Sequence, residues 1–363
     1  MGIGVRAVAA STVLVAAAAW AQAGAGPAVA AANESRAGDL RVYFADVEGG
    51  QATLFVAPGG ETLLVDTGWP GFNGRDADRI AALCRQAAAA KIDNLVITHY
   101  HTDHAGGVQQ LVAKVPVGRF IDHGVNREDD TADGGATVAG WKAYQGILAD
   151  GHAQHLVVKP GDVLPVKGMK VEIVSADGEV IAKPVGGPGA GQANAACAGS
   201  PEKPAENSEN DRSVGLVITF GRLRIVDLGD LTWARERGLV CPANKLGRFD
   251  VYIVSHHGID RSGSPALVNA IAPRVAIMDN GGHKGGAASS YDTIEASPRL
   301  KDLWQLHTAE GSDAKHNAAE GRIANLAGAP DAANWLELTG RADGSFAVRN
   351  GRTGEQVEYP AEK

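Results

Sequence analysis

The segment Thr98-His99-Tyr100-His101-Thr102-Asp103-His104 constrains this chain more than any other. It places three imidazoles and a carboxylate between His99 and His104. It follows the apolar run Leu95-Val96-Ile97 and precedes Gly106-Gly107. The pattern predicts a strand, a tight turn and then a helix with Val108, Leu111 and Val112 on one face. In extended backbone side chains alternate, so His99, His101 and Asp103 face one way, and a turn after Asp103 brings His104 round from the other. Imidazole with carboxylate suits a borderline cation such as zinc, and the run has enough ligand atoms to serve two metals. A solvated histidine-rich loop would need neither the buried-type strand before it nor the glycine pair after it. Strands feeding helices in this way indicate an α/β architecture of layered sheets and helices.

The rest of the chain repeats the theme of a strand ending in a ligand-type residue. Short apolar runs at Val42 to Phe44, Ala52 to Val56 and Leu63 to Val65 alternate with turns, the last two joined through Pro58-Gly59-Gly60. Asp66-Thr67-Gly68 ends the third run, and Asp76 to Ala90 reads as an Ala-rich helix. Val214 to Phe220 and Leu223 to Leu228 read as a hairpin running into Gly229-Asp230. Phe249 to Ser255 lead to His256-His257-Gly258. Acidic or histidine residues thus recur at separate strand ends: Asp66, the His99 to His104 run, Asp230 and His257.

Between these, residues 183–210 shift to Gly, Pro, Ala, Asn, Glu and Ser, a loop insertion that is either a lid or disordered. Residues 286–363 read as helical around Arg299 to Trp304 and Ala318 to Leu326. They finish in short strands at Trp335 to Leu338, Ser345 to Val348 and Gln356 to Tyr359, a hairpin closing the same domain as residues 39–285.

A chain of 363 residues with 44% hydrophobic and 21% charged residues can bury a sizeable core, and only 5% aromatics points to an interior of Val, Leu, Ile and Ala. The net charge of −8 and the lack of any basic run argue against a large nucleic-acid footprint. Scattered Arg and Lys leave room for a small basic patch and short substrates. Arg6, the apolar run to Trp20 and the small-x-small Ala21-Gln22-Ala23 read as a secretory signal over residues 1–23, with Ala28-Val29-Ala30 a second cleavage option. A membrane anchor is the competing reading, but the run is shorter than the roughly 20 residues a span needs. Residues 24–38 then form a flexible tail, and the mature protein is exported, periplasmic or secreted, with no membrane anchor. Of the three cysteines, Cys84 falls in the Ala-rich helix and reads as a small buried hydrophobe. Cys197 and Cys241 fall in loops, where a bridge is one option in an oxidising compartment.

The Asp-Thr-Gly strand end, the His-x-His-x-Asp-His turn with Gly-Gly, the Gly-Asp and the His-His-Gly resemble, in order and spacing, the metallo-β-lactamase superfamily. Within it the chain is most similar to the hydrolase domain of the competence protein ComEC. That likeness rests on Asp46-Val47-Glu48-Gly49-Gly50-Gln51, Leu228-Gly229-Asp230 and Ser255-His256-His257-Gly258, and spans roughly residues 40–285. The resemblance implies an αββα sandwich of two mixed sheets with the metals on one rim. It implies that His99 and His101 hold one divalent metal, Asp103 and His104 the second, with Asp230 bridging. His257, in preference to His256, completes the second site, and Asp66 orients a ligand imidazole. Many relatives supply a further histidine ahead of the Gly-Asp element. Here Glu209-Asn210-Asp211-Arg212-Ser213 has none, leaving Asn210, Asp211 or His123 for the first metal. His283, after Asn280-Gly281-Gly282, is a candidate on a substrate-facing loop. His152, His155, His307 and His316 read as surface or hydrogen-bonded residues.

The implied chemistry is hydrolysis with two divalent ions, zinc or else manganese. Asp103 or Asp230 would accept the proton of water and His256 would donate to the leaving group. The resemblance favours a small or short phosphodiester substrate. An amide, lactam or lactone is the alternative, and a non-catalytic binding protein on the same fold is a third reading. Oligomeric state is left open.

Overall fold

Alternation along the strands decides which layer each side chain serves. In the first strands Tyr43, Leu54, Leu64 and Leu95 point one way, and Val42, Phe44, Phe55, Leu63, Val65 and Val96 point the other. The first set packs against Ile80, Leu83 and Cys84 of the helix Arg75–Gln86, against Leu111, and against Tyr144 of the helix Ala136–Ala149. The second set meets Val171, Ile173, Leu216, Ile218, Ile225, Ile253, Ile277 and Trp304 of a second sheet. That sheet turns its other face, with Val217, Val226, Tyr252 and Ala276, to helices carrying Leu239, Leu267, Val268 and Ile294. Helix, sheet, sheet, helix: the molecule is an αββα sandwich. Its stability rests mainly on these faces, each fully buried Val, Leu or Phe contributing about 1.5–3 kcal/mol.

The computed structural model describes residues 1, 2, 38–129, 131, 135–151 and 153–362. Apart from residues 1, 2 and 38, the expected signal and tail lie outside the described residues, as does His152. Residues Ser35–Lys363 form one compact unit. No helix among the described residues is long and apolar enough to cross a membrane.

The first sheet runs, edge to edge, Gln356–Tyr359, Phe346–Asn350, Leu336–Gly340, Leu40–Phe44, Thr53–Val56, Thr62–Val65, Asn94–Val96, Arg119–Asp122 and Gln154–Val157. Its first part is antiparallel, and from Thr62–Val65 onward it is parallel. The second runs Ile323–Asn325, Asp302–His307, Val275–Met278, Val251–Ile253, Leu223–Asp227, Gly215–Phe220, Lys170–Ala176 and Val163–Leu164, with Glu179–Val180 paired to Lys170–Ala176. From Leu223–Asp227 to Ile323–Asn325 it is parallel.

Two expectations change. Arg299 to Trp304 and Ala318 to Leu326 read as helical, yet Asp302–His307 and Ile323–Asn325 are parallel strands, the second following a single 3-10 turn at Glu320–Arg322, and the α-helix of this region is Ala288–Glu295. Leu303, Trp304, Gln305 and Leu306 are all buried, because the strand is covered on both faces. Such a strand shows no alternation to read. The insertion at residues 183–210 is neither a free lid nor unstructured. Val185, Gly191 and Asn194 donate backbone hydrogen bonds to Lys245, Asn244 and Pro242, and Arg248 donates to Pro188. Cys197 is bridged to Cys241, while Cys84 is free and buried. Beyond these, the strand Arg119–Asp122 and the helix Ala136–Ala149 lie between the ligand turn and the strand Gln154–Val157.

Candidate metal centre

Parallel strands deliver their carboxyl ends to a common rim. The strands Thr62–Val65, Asn94–Val96, Leu223–Asp227, Val251–Ile253 and Val275–Met278 are followed there by Asp66, the His99 to His104 turn, Asp230, His256-His257 and Asp279. The backbone is forced at these points: Asp66, His256 and His257 have φ of 62°, 56° and 55°. Left-handed φ at a non-glycine residue costs on the order of 1–3 kcal/mol, and such strain persists where the surroundings over-determine it. The Glu48-Gly49-Gly50-Gln51 turn presses on the same place. Gly50 abuts the Asp103 carbonyl so closely that no Cβ fits, and Gln51 N donates to that carbonyl at 3.2 Å.

Four ligand atoms from Asp103, His104, Asp230 and His257 lie within 4.8 Å of one another, all buried. Nε2 of His104 stands 3.2 Å from Nε2 of His257, and 3.3 Å from both Asp103 Oδ2 and Asp230 Oδ2. His257 Nε2 is 3.2 Å from Asp103 Oδ2. His99 Nε2 and His101 Nδ1 form a second pair 3.2 Å apart, with Asp230 Oδ2 3.8 Å from His99. His256 Nε2 lies 3.3 Å from the same oxygen.

Each ring has its outer nitrogen held elsewhere. His104 Nδ1 pairs with Asp66 Oδ2 at 2.7 Å, and Asp66 also accepts from Thr98 N and Oγ1. His257 Nδ1 pairs with Asp279, His256 Nδ1 with Ser262 Oγ, His101 Nε2 with Glu128, and His99 Nδ1 with Thr98 Oγ1. A carboxylate that takes the outer N–H fixes the tautomer in which the inner nitrogen offers a lone pair. Asp230 Oδ1, buried in the middle, has no hydrogen-bond partner among the described residues. Inward-facing imidazole nitrogens around an orphaned carboxylate oxygen fit divalent cations.

The electrostatics carry the same imprint. Burial, then neighbouring His104, push His99 well below the usual imidazole range. Burial opposes charge on His104 too, yet Asp230, Asp103 and Asp66 together hold it well above that range. His104 in turn draws both Asp103 and Asp230 well below the carboxylate range against their burial. Burial lowers His256 to about 4. His257, despite burial and Lys284, is raised to about 8 by Asp230 and Asp279. The positive charge the carboxylates draw onto His104 and His257 is what a bound cation would replace.

Comparison with known proteins decides the family. Residues 46–283 match the sequence pattern described as the Metallo-beta-lactamase superfamily. The chain belongs to this superfamily. Its fold implies divalent metal binding. Recombination protein 2 of Haemophilus influenzae is 23% identical over 280 residues, 77% of this chain but only 29% of that protein's length. Among solved structures, a Cronobacter sakazakii metallo-beta-lactamase with a HARLDQ motif is 17% identical, covering 52% of this chain and 60% of the other at a TM-score of 0.32. CmlA, a diiron beta-hydroxylase from Streptomyces venezuelae, is 15% identical, covering 66% and 44% at a TM-score of 0.34.

Within this metallo-β-lactamase centre the structure brings His99, His101, Asp103, His104, Asp230, His256 and His257 together, with Asp66 behind His104. The open candidates separate. Asp211 is spent on Thr232 Oγ1 and Asn207 N. His123 bonds Glu209 at 3.0 Å and packs on Tyr100, the residue that alternation turns away from His99 and His101. Asn210 is 3% exposed, and among the described residues neither its Oδ1 nor His123 Nδ1 has a hydrogen-bond partner. Its segment lies beside the turn, because Val214 N donates to Thr98 O and Tyr100 N donates to Glu209. His283 turns outward, its side chain 85% exposed. His155 pairs with Asp122, His307 with Asp46 and His316 with Asp313. Asp279, Glu128, Glu209 and Lys284 were not among the residues expected at the site, and Glu128 and Lys284 carry no signal in the sequence. For Asp279 one existed: it follows the run Val275-Ala276-Ile277-Met278 as Asp66 follows Leu63-Leu64-Val65.

Proposed function

We propose that this protein is an exported hydrolase that cleaves phosphodiesters with water at a centre of two divalent cations, zinc or manganese. His99 and His101 would hold the first cation together with Asn210 Oδ1, a buried oxygen without a hydrogen-bond partner among the described residues. Asp103, His104 and His257 would hold the second, with Asp230 placed between the two groups. The observation that carries this reading is the set of imidazoles whose outer nitrogens are tied to Asp66, Asp279, Glu128, Thr98 and Ser262 while their inner nitrogens converge. Two such cations would stabilise developing charge and bring the pKa of a water to about 7. The chain's own groups then move protons. Burial keeps His256 neutral, so it must gain a proton before donating one. Asp230 Oδ2, 3.3 Å from His256 Nε2, is placed to pass on the proton taken from water, which His256 delivers to the leaving oxygen.

The phosphodiester preference is supported by the ComEC resemblance and by the likeness to a protein named for recombination. Export is supported by the signal-like run and by the Cys197 to Cys241 disulfide, a bond that persists in oxidising compartments. The test is a substrate panel on metal-loaded protein: bis(4-nitrophenyl) phosphate, a chromogenic cephalosporin and a lactone. Turnover of the phosphodiester is the expected result. Turnover of the cephalosporin or lactone with none of the phosphodiester would assign the centre to carbonyl substrates instead.

A further inference from the structure

Lys284 is the one Lys or Arg among the described residues whose charge contacts a carboxylate of the metal centre: its Nζ meets Asp103 Oδ2. The backbone that carries it is fixed. Gly281 N donates to Lys284 O at 2.8 Å, Gly286 N to His257 O at 2.9 Å, and Glu310 N to Gly282 O at 2.9 Å. Gly285 lies so close to the His257 carbonyl that no Cβ fits there. The loop is thus fastened to the ligand-bearing turn, and only the side chain of Lys284 is left to reposition. That side chain is 29% exposed, and its Nζ lies 4.9 Å from the centre of the Trp69 ring. It stands between bulk solvent and the buried ligands, whereas the neighbouring His283 points away.

We propose that Lys284 is the anion-recognising residue of this centre and makes it selective for substrates with a negative charge at the scissile group. The inference rests on the two-cation hydrolase reading above. Asp103 cannot serve a cation and Lys284 fully at once. With the cations in place the ammonium loses its partner at the mouth of the site, on a fixed loop. Lysine suits the role, being a compact charge with three rotatable donors on a flexible stem. An oxygen of a phosphodiester not engaged by the cations is the natural replacement for the Asp103 oxygen. A neutral ester or lactone offers no such group.

The test compares wild type with Lys284→Met, Lys284→Gln and Lys284→Arg, each loaded with saturating cation and checked for metal content. Inorganic phosphate binding is followed by calorimetry. Losing a charge-assisted hydrogen bond should weaken phosphate about tenfold or more in the Met and Gln variants and less in Arg. KM for bis(4-nitrophenyl) phosphate should rise by a similar factor with kcat little changed, and turnover of a neutral aryl ester should stay level. Unchanged phosphate affinity in metal-loaded Lys284→Met would overturn the proposal. So would a failure of all three variants to retain metal, which would make Lys284 part of the metal site itself. The two readings fail separately. Wild type without phosphodiesterase activity, but with phosphate binding that depends on Lys284, removes the substrate assignment and upholds the anion site. An active wild type with phosphate binding indifferent to Lys284 does the reverse.

Discussion

Among the described residues two places gather histidine and carboxylates closely enough to hold a metal, and they are built on opposite principles. One is the centre of Asp103, His104, Asp230 and His257; the other is Asp46, Glu48 and His307. The second brings its own cation. Arg79, from the helix Arg75–Gln86, reaches Asp46 Oδ2 at 3.0 Å and Glu48 at 3.7 Å, and His307 Nε2 pairs with Asp46 Oδ1 at 2.7 Å. Asp46 follows a strand of the first sheet and His307 ends a strand of the second, so this group clasps the two sheets. At the first centre Asp66, Asp279 and Glu128 take outer nitrogens, while among the described residues one ammonium reaches Asp103 and no Lys or Arg reaches Asp230. Ligand atoms in proximity are common. What separates a metal site from an ion-pair clasp is the partner of its carboxylates: a resident arginine at the clasp, imidazoles that a cation can relieve of their protons at the centre.

The largest effect that would break this contrast is at Asp103. Asp103→Asn should lower hydrolysis by roughly a thousandfold or more, since a cation and its water lose their place. Metal analysis of the variant should show fewer ions per chain than wild type. Asp46→Asn should act in the other direction: metal content and kcat stay at wild-type levels, while stability falls by about 3 kcal/mol because Arg79 and His307 lose a buried partner. Urea denaturation reads this, and a variant that keeps its stability but loses metal would reverse the two assignments. Chelation should come next in size. Removing cations from wild type costs about 2.7 kcal/mol per site held at a hundredfold excess over Kd, seen as a lower Tm. Asp103→Asn should show a smaller drop.

The smallest effect is on pH dependence at the clasp. Burial disfavours the charged form of His307, but the Asp46 bond raises its pKa above the ordinary value. A folded-state pKa above the unfolded one gives stability that is complete below the unfolded value and lost as pH rises through the folded one. Wild type should therefore lose more Tm than His307→Asn between pH 6 and pH 9. Equal losses would mean that His307 is not charged in the folded protein.

The same contrast explains what could be read from the chain. The run from His99 to His104 is legible because its ligands are contiguous, and Asp230 and His257 because each sits in a turn at the end of an apolar run. Lys284 and Glu128 show no local pattern, since their roles arise only when remote loops fold onto the centre. Asp46 belonged to a visible motif, but its partners Arg79 and His307 are far away in sequence, so its clasp was hidden. In the fold, short apolar runs bounded by turn residues placed the early strands and the hairpin of Gly215–Phe220 and Leu223–Asp227. Leu300, Leu303 and Trp304 happen to fall at helical spacing, and parallel pairing of Asp302–His307 with Val275–Met278 overrides that local pattern.

The central claim is that converging inner atoms, not the chain's own charges, define a two-cation hydrolytic site. Its most direct test is a metal titration of chelator-treated protein, with bis(4-nitrophenyl) phosphate hydrolysis followed as zinc or manganese is added. The account predicts no turnover at the start and a rise that levels off at two ions per chain. Full turnover in the metal-free protein would contradict it.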